Sequence, residues 1–222
     1  MKSANISPGF NSPILEVVLD LDTDKLVDFV YEIKKKDNKG KFHSNKGGWQ
    51  SNDFLNINSS EEFIKLKEQI NYYLQEYHER VFCQMGVEFV TDTFMYLQNI
   101  SANINEKYCY NEWHNHAYSF LSGVFYIKHN TLKENGSFMW KNPANLSNLW
   151  PLYYPMDLIK QSNMAIAPNW TVDPMPNLLL IFPSWVEHKV EINLSDNPRI
   201  SMSFDASLVT DDPNYTRFKG PR

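Results

Sequence analysis

Apolar positions in the first third of the chain recur with a period near 3.6 residues. Leu26, Val27, Phe29, Val30 and Ile33 follow Thr23 and Asp24, which read as the N-cap region, and this spacing predicts an amphipathic helix. Ser59 or Ser60, followed by Glu61 and Glu62, opens a longer one through Phe63, Ile64, Leu66, Ile70, Tyr73, Leu74, Tyr77 and Val81. Near residue 86 the texture changes. From there on, short β-rich runs separated by Asn, Gly and Pro predict strands at 88–99, 111–116, 119–128, 137–140, 177–183, 186–192 and 198–206. Helices ahead of such a series predict a mainly β fold, an antiparallel sandwich or barrel buttressed by N-terminal helices. Prolines 143, 151, 155, 168, 174 and 176 exclude residues 142–177 from the central sheet, so this stretch reads as a long loop holding one or two strands. Trp140, Trp150, Tyr153, Tyr154 and Trp170 make it aromatic, suited either to lining a substrate groove or to fastening the loop down. Trp49, in the Gly47–Ser51 segment between the helices, reads as a core plug.

Length and composition narrow the setting. With 222 residues, 42% of them hydrophobic, the chain is expected to be a single domain over 1–222. A helical and loop support region would occupy 1–86, a β core 87–208, and a tail 209–222. Twenty-six acidic residues against 21 basic ones give a net charge of −5, and no basic block exceeds Lys34–Lys36, so the electrostatic footprint of a duplex nucleic-acid binder is missing. The longest apolar stretch, 178–186, is broken by Pro183 and Ser184 and falls short of the roughly 20 residues a membrane span needs. The start, Met1–Asn5, leads into no apolar segment. The expected setting is therefore cytoplasmic, with Cys83 and Cys109 as packed thiols and a homodimer as the ordinary oligomeric expectation.

Six histidines are present, and three of them form a pattern: His114 and His116 in Trp-His-Asn-His, then His188 72 residues later. Residues two apart on a strand share a face, so His114 and His116 can present both imidazoles to one metal, with His188 as a third ligand from a distant strand. Imidazole suits Fe, Zn, Cu and Ni, and three protein ligands leave coordination positions open for water or substrate, as in a catalytic site. Eleven residues past His188, Arg199-Ile200-Ser201 places a guanidinium and a hydroxyl on one strand face. Arginine offers a planar donor fork that matches a carboxylate bidentately. A hairpin turning at Ser195–Pro198 is expected to lay Arg199 alongside the strand that carries His188. The remaining histidines, His43, His78 and His129, read as solvated or structural.

These residues together resemble the iron(II)- and 2-oxoglutarate-dependent oxygenases. Within them they resemble a subgroup, common in marine bacteria and their phages, with a His-x-His…His metal motif. The resemblance is carried by His114-Asn115-His116, Leu121–Ile127, Gly136-Ser137-Phe138, Leu180–Trp185 leading to His188, and Arg199–Phe204, spanning about residues 98 to 206. It implies a double-stranded β-helix, the jelly-roll architecture of cupins. It also implies Fe(II) on His114, His116 and His188, and 2-oxoglutarate held at its distal carboxylate by Arg199 with Ser201, with O2 as the third reactant. Tyr126, which shares a strand face with Ser122 and Val124, and Asn103, shortly before the histidine motif, are further candidates to contact the cosubstrate. His116 stands where most of the superfamily carries Asp or Glu, which raises the net charge at iron by one unit; Glu112, of the same strand parity as His114, is the alternative ligand. The implied activity is a dioxygenase (hydroxylase) that couples decarboxylation of 2-oxoglutarate to succinate with C–H oxidation of a small-molecule or peptide substrate. Two alternatives stand beside it: a three-histidine, cupin-like metalloenzyme that uses no 2-oxoglutarate, and a non-catalytic β-sandwich module that binds through its aromatic loop.

Overall fold

The computed structural model describes residues 12–41, 44–129, 133–143 and 169–215. His43 and most of the 142–177 stretch, including Trp150, Tyr153 and Tyr154, lie outside the described residues. In chain order the elements are β1 (Leu15–Val18), α1 (Thr23–Lys36), β2 (Asn45–Lys46), β3 (Trp49–Gln50) and α2 (Glu61–Tyr77), which runs on into a π-helical segment, His78–Cys83. They continue with β4 (Phe94–Asn105), β5 (Tyr110–His114), β6 (Leu121–Lys128), β7 (Phe138–Lys141), β8 (Asn169–Val172), β9 (Leu178–Pro183), β10 (His188–Val190) and β11 (Arg199–Val209).

Both predicted helices form, for the expected reason. The side chain of Asp22, one residue before the expected cap, accepts from the backbone N–H of Lys25, and Ser60 Oγ accepts from that of Phe63 at 3.2 Å. Glu62 ties the two helices together by accepting the Asp22 N–H at 2.9 Å, and Phe29 stacks on Phe63 between them.

The strands build two antiparallel sheets facing one another. One has the order β1-β9-β6-β11-β4-β3 and the other β2-β5-β10-β7-β8, the arrangement of a double-stranded β-helix. In the larger sheet the period of two separates two jobs. Ile100, Ala102 and Ile104 of β4 and Ile200, Met202, Phe204 and Ala206 of β11 turn outward and form one core with α1 and α2. The alternate residues face the smaller sheet. There Val124 and Tyr126 of β6, Leu178, Leu180 and Phe182 of β9, and Phe138 and Trp140 of β7 make a second apolar cluster, while β4 and β11 contribute polar side chains. Trp49 is buried in the helix-side core and donates Nε1–H to the Asp37 carbonyl, the plug expected of it. Cys109 is buried, Cys83 partly so, and both are free thiols.

Three features differ from the sequence expectation. The strand predicted from residue 88 begins at Phe94 and runs to Asn105. Residues 12–86 also contribute β1, β2 and β3 to the sheets, segments of two to four residues in which no period can be read. The hairpin expected between β10 and β11 does not exist. Both edges of β10 are taken by β5 and β7, and both edges of β11 by β4 and β6, so the chain crosses from one sheet to the other between Glu191 and Pro198. That crossing is knit by Asn193, Ser195 and Asn197, which hydrogen-bond one another and Asn135. No described helix is long and apolar enough to cross a membrane.

Gly123 sits in the middle of β6, where an added Cβ would strike the Phe204 ring and approach the Leu180 carbonyl at 2.6 Å. Overpacking of this kind costs about 1–3 kcal/mol. Gly123→Ala is expected to lower the midpoint of thermal unfolding by several degrees, read by circular dichroism; an unchanged midpoint would mean that the Phe204 ring gives way without cost.

Candidate metal centre

The space between the sheets opens into a cleft of about 910 Å³ whose lining includes His114, His116, His188, Tyr126, Arg199 and Asp205. His114 ends β5 and pairs directly across the ladder with His188 at the start of β10, so strand register alone brings these two rings to a centroid separation of 4.3 Å. His116 lies past the end of β5, where the pleat no longer dictates direction. Its placement comes instead from its backbone N–H, which donates to the Ser184 carbonyl at 2.9 Å, and from a hydrogen bond of Nδ1 to Asp205 Oδ1 at 2.5 Å. Among the described residues these three histidines form a cluster able to hold a metal, with candidate ligand atoms all within 4.8 Å of one another.

Each ring has its outer nitrogen occupied. Nδ1 of His114 meets the Glu112 carbonyl at 2.7 Å, Nδ1 of His188 meets the Val186 carbonyl at 2.9 Å, and Nδ1 of His116 meets the Asp205 carboxylate. Carbonyls and carboxylates only accept, so all three Nδ1 atoms carry the proton; in the neutral rings of His114 and His188 Nε2 is then an acceptor, and that of His114 takes the Ser44 hydroxyl at 3.3 Å. His188 is additionally held between Phe138, parallel to it, and the edge of Phe182. Burial, together with the neighbouring histidines, lowers the pKa of His188 well below the ordinary 6.5, and burial lowers that of His114. Both are neutral and ready to ligate at neutral pH.

Glu112 does not join the cluster. Its side chain is half exposed and pairs with Lys46 at 3.1 Å; the β2–β5 register sets that lysine opposite Tyr110 and so diagonal to Glu112 on the same face. Sequence reasoning missed Asp205. It sits on the inward face of β11, opposite Asn99 of β4 and Ser122 of β6. Ser122 Oγ donates to its Oδ1 at 2.8 Å and Asn99 Nδ2 to its Oδ2 at 3.2 Å. Burial raises its pKa, but the bonds from His116, Ser122 and Asn99 outweigh that and hold the carboxyl below the usual range. The signal was present in the parity of Arg199, Ser201, Ser203 and Asp205, four polar residues alternating with Ile, Met and Phe.

Arg199 lies at the far end of the same inward row. Only 2% of it is exposed. Its Nη1 donates to the carbonyls of Asn135, Gly136 and Glu191 at 2.6, 3.4 and 3.2 Å, while Nη2 is buried with no partner. Gly136, at φ +85°, makes room for it, since a Cβ there would collide with Nη1 and with the Glu191 carbonyl. The Tyr126 hydroxyl is likewise buried and unpartnered, and burial raises its pKa. Ser201 is buried and lines the cleft. Asn103 also lines it, but its amide is already engaged by Asn45 and Ser203 at 3.3 and 3.2 Å. His78 and His129 are buried and bonded, to Thr93 Oγ1 and the Gly136 carbonyl, which are structural roles.

These residues fit both a metal ion and an acidic ligand. Three converging imidazoles provide the first. A buried cation with an unused donor edge, beside an unused phenol, calls for an acceptor-rich anionic group in the same cleft.

Comparison with known proteins bears on the same segment. Residues 100–205 match the sequence model of a family described as "Putative 2OG-Fe(II) oxygenase". No curated protein sequence matches the chain. Among solved structures, a prolyl-4-hydroxylase from Pseudomonas putida superposes with a TM-score of 0.54 at 12% identity, over 87% of this chain and 92% of that one. HygX from Streptomyces hygroscopicus, with nickel and 2-oxoglutarate bound, gives 0.56 at 12% identity over 88% and 83%. A viral collagen prolyl hydroxylase from Paramecium Bursaria Chlorella virus-1, in complex with 2-oxoglutarate, gives 0.53 at 10% over 87% and 94%. At such identities the likeness is one of fold, the double-stranded β-helix.

The lowered histidine pKa values give the stability a sign. In the unfolded chain these imidazoles take protons as pH falls through about 6.5, whereas the folded chain holds them neutral until lower pH, so their contribution is full above that range and is lost below it. The metal-free protein is expected to lose thermal stability between about pH 7 and 5.5, and His188→Gln to flatten that slope. A slope identical in the variant would show that His188 titrates normally.

Proposed function

We propose that this chain, whose residues 100–205 match the sequence model of a family described as "Putative 2OG-Fe(II) oxygenase", binds Fe(II) through His114, His116 and His188. In the same reading it binds 2-oxoglutarate through Arg199 and Tyr126, with Ser201 beside them, and oxidises a C–H bond of a second substrate. The observation that carries the reading is the pair of unpartnered buried donors, Arg199 Nη2 and the Tyr126 hydroxyl, in one cleft with the three histidines. A buried guanidinium keeps its charge, and leaving part of it unsatisfied is costly unless a ligand completes it. The distal carboxylate of 2-oxoglutarate accepts from both groups and is acceptor-only, the complement of what the protein presents.

Fe(II) with 2-oxoglutarate and O2 supplies the oxidising chemistry, in which the keto acid is decarboxylated to succinate. The protein's part is geometric. Arg199, backed by three carbonyls and given its space by Gly136, fixes the far end of the cosubstrate. Val124, Phe138 and Phe182 on the apolar wall keep water from the reacting centre. The second substrate has a different wall to meet: Gln50, Asp53, Gln98, Ser101 and Ser203 line the cleft from β3, β4, β11 and the loop after β3. That lining suits a polar substrate that exchanges hydrogen bonds with amides and hydroxyls.

Anaerobic titration of the Fe(II)-loaded protein with 2-oxoglutarate tests the reading through the weak visible charge-transfer band of a chelated keto acid. We expect the band to form in the native protein, and Arg199→Ala to weaken 2-oxoglutarate binding at least tenfold while iron is retained, since losing one partner of a buried charged pair costs about 2–5 kcal/mol. His188→Ala should lose stoichiometric iron. Iron bound without a band would favour a three-histidine enzyme that uses no 2-oxoglutarate, and iron retained in His188→Ala would remove the ligand assignment.

A further inference from the structure

The three histidines are not equivalent in what stands behind them. His114 and His188 lean on backbone carbonyls, whereas His116 leans on a carboxylate. Non-haem Fe(II) oxygenase sites ordinarily combine two histidines with one carboxylate, so three neutral imidazoles leave the ion one positive charge richer. Asp205 is the group placed to offset that charge. Its side chain is 17% exposed, and it is held from three adjacent strands at once: β11 carries it, Ser122 of β6 donates to one oxygen and Asn99 of β4 to the other. Both donors are neutral, and among the described residues no lysine or arginine pairs with it. Its negative charge therefore has one directed outlet, the Nδ1–H of His116 at 2.5 Å. In a partly desolvated site a charge so close to a ligand ring couples strongly to whatever the ring coordinates.

We propose that Asp205 is a positioning residue of the metal centre: through His116 Nδ1 it fixes the ligand tautomer and returns to the ion the negative charge that a directly bound carboxylate would otherwise supply. The proposal rests on the reading of the cluster as an iron site. It accounts for why the chain can carry His at position 116: the carboxylate has moved outward by the width of one imidazole rather than being lost.

Asp205→Asn keeps the shape and one acceptor oxygen while removing the charge. Anaerobic Fe(II) titration should show affinity reduced about 10- to 100-fold, the range found when such outer partners of a metal-bound histidine are changed. The Fe(II)–2-oxoglutarate band should move to higher energy, because the ferrous ion has become poorer in electrons. Thermal unfolding of the metal-free variant reports whether the fold survives. The double variant His116→Asp/Asp205→Asn transplants the carboxylate onto the ion and should recover most of the lost Fe(II) affinity. Wild-type affinity and band position in Asp205→Asn would overturn the proposal, as would a double variant that folds but binds iron no better than Asp205→Asn. If the native protein itself took up no Fe(II), the iron-site reading would be what failed. If it took up Fe(II) without developing a band, the affinity comparison would still decide the role of Asp205.

Discussion

A permanently charged guanidinium buried between two sheets is the constraint around which the molecule is arranged. Arg199 cannot relieve its burial by giving up a proton, so the surrounding chain must supply acceptors and leave room for one more. Three carbonyls from two separate loops close on Nη1. Gly136 holds a left-handed conformation that keeps a Cβ out of the way, and the Asn135–Asn193–Ser195–Asn197 network fixes the crossing segment that brings Arg199 to the start of β11. The second edge of the guanidinium, Nη2, is left buried without a partner, and it is on this edge that the proposed 2-oxoglutarate site rests.

The same strand lines the cleft and anchors the helix-side core. Every second residue of β11 packs on the helices and the residues between face the cleft, so Arg199, Ser201, Ser203 and Asp205 form a polar row backed by Ile200, Met202, Phe204 and Ala206. β4 repeats the pattern with Asn99, Ser101, Asn103 and Asn105, each set opposite one member of that row. Such a ladder is tolerated inside a barrel because cross-strand pairs satisfy one another, as Ser101 and Ser203 do at 3.1 Å. Facing it, β6, β7 and β9 present an apolar wall. A reacting group between the two is dry on one side and hydrogen-bonded on the other.

How far this could be read from residues alone follows from the range of each signal. His-x-His, His188 and Arg199 were readable because a residue type and a spacing of two to eleven positions announce them, and the helices because 14 and 17 residues give a period time to show. The two-residue strands β2 and β3 have no period at all. The hairpin between β10 and β11 was a reasonable local expectation that lost to topology: a strand already paired on both edges has nowhere to accept a third partner. Parity along β11 puts Asp205 on the inward face, but its partners are written in pairing. Nothing in its neighbours along the chain indicates that strand register sets it against Asn99 and Ser122, or that a loop ending 89 residues earlier brings His116 to it.

That difference between local and long-range signals has a consequence for how the centre tolerates change. His114 and His188, which stand on strands, take their aim from register and from the backbone carbonyl behind each ring. His116 lies beyond the strand end and inherits its aim from two contacts, the Ser184 carbonyl and the Asp205 carboxylate. Ser184 is itself pinned, its hydroxyl donating to the Ser119 carbonyl and its N–H to that of Phe120, so the 116–120 turn and the Pro183–Ser184 corner brace each other. Two histidines are thus positioned by the fold and the third by side-chain chemistry. Variation at the histidine cluster that spares the fold therefore has its natural place at His116 and Asp205, whose imidazole and carboxylate are joined by one hydrogen bond.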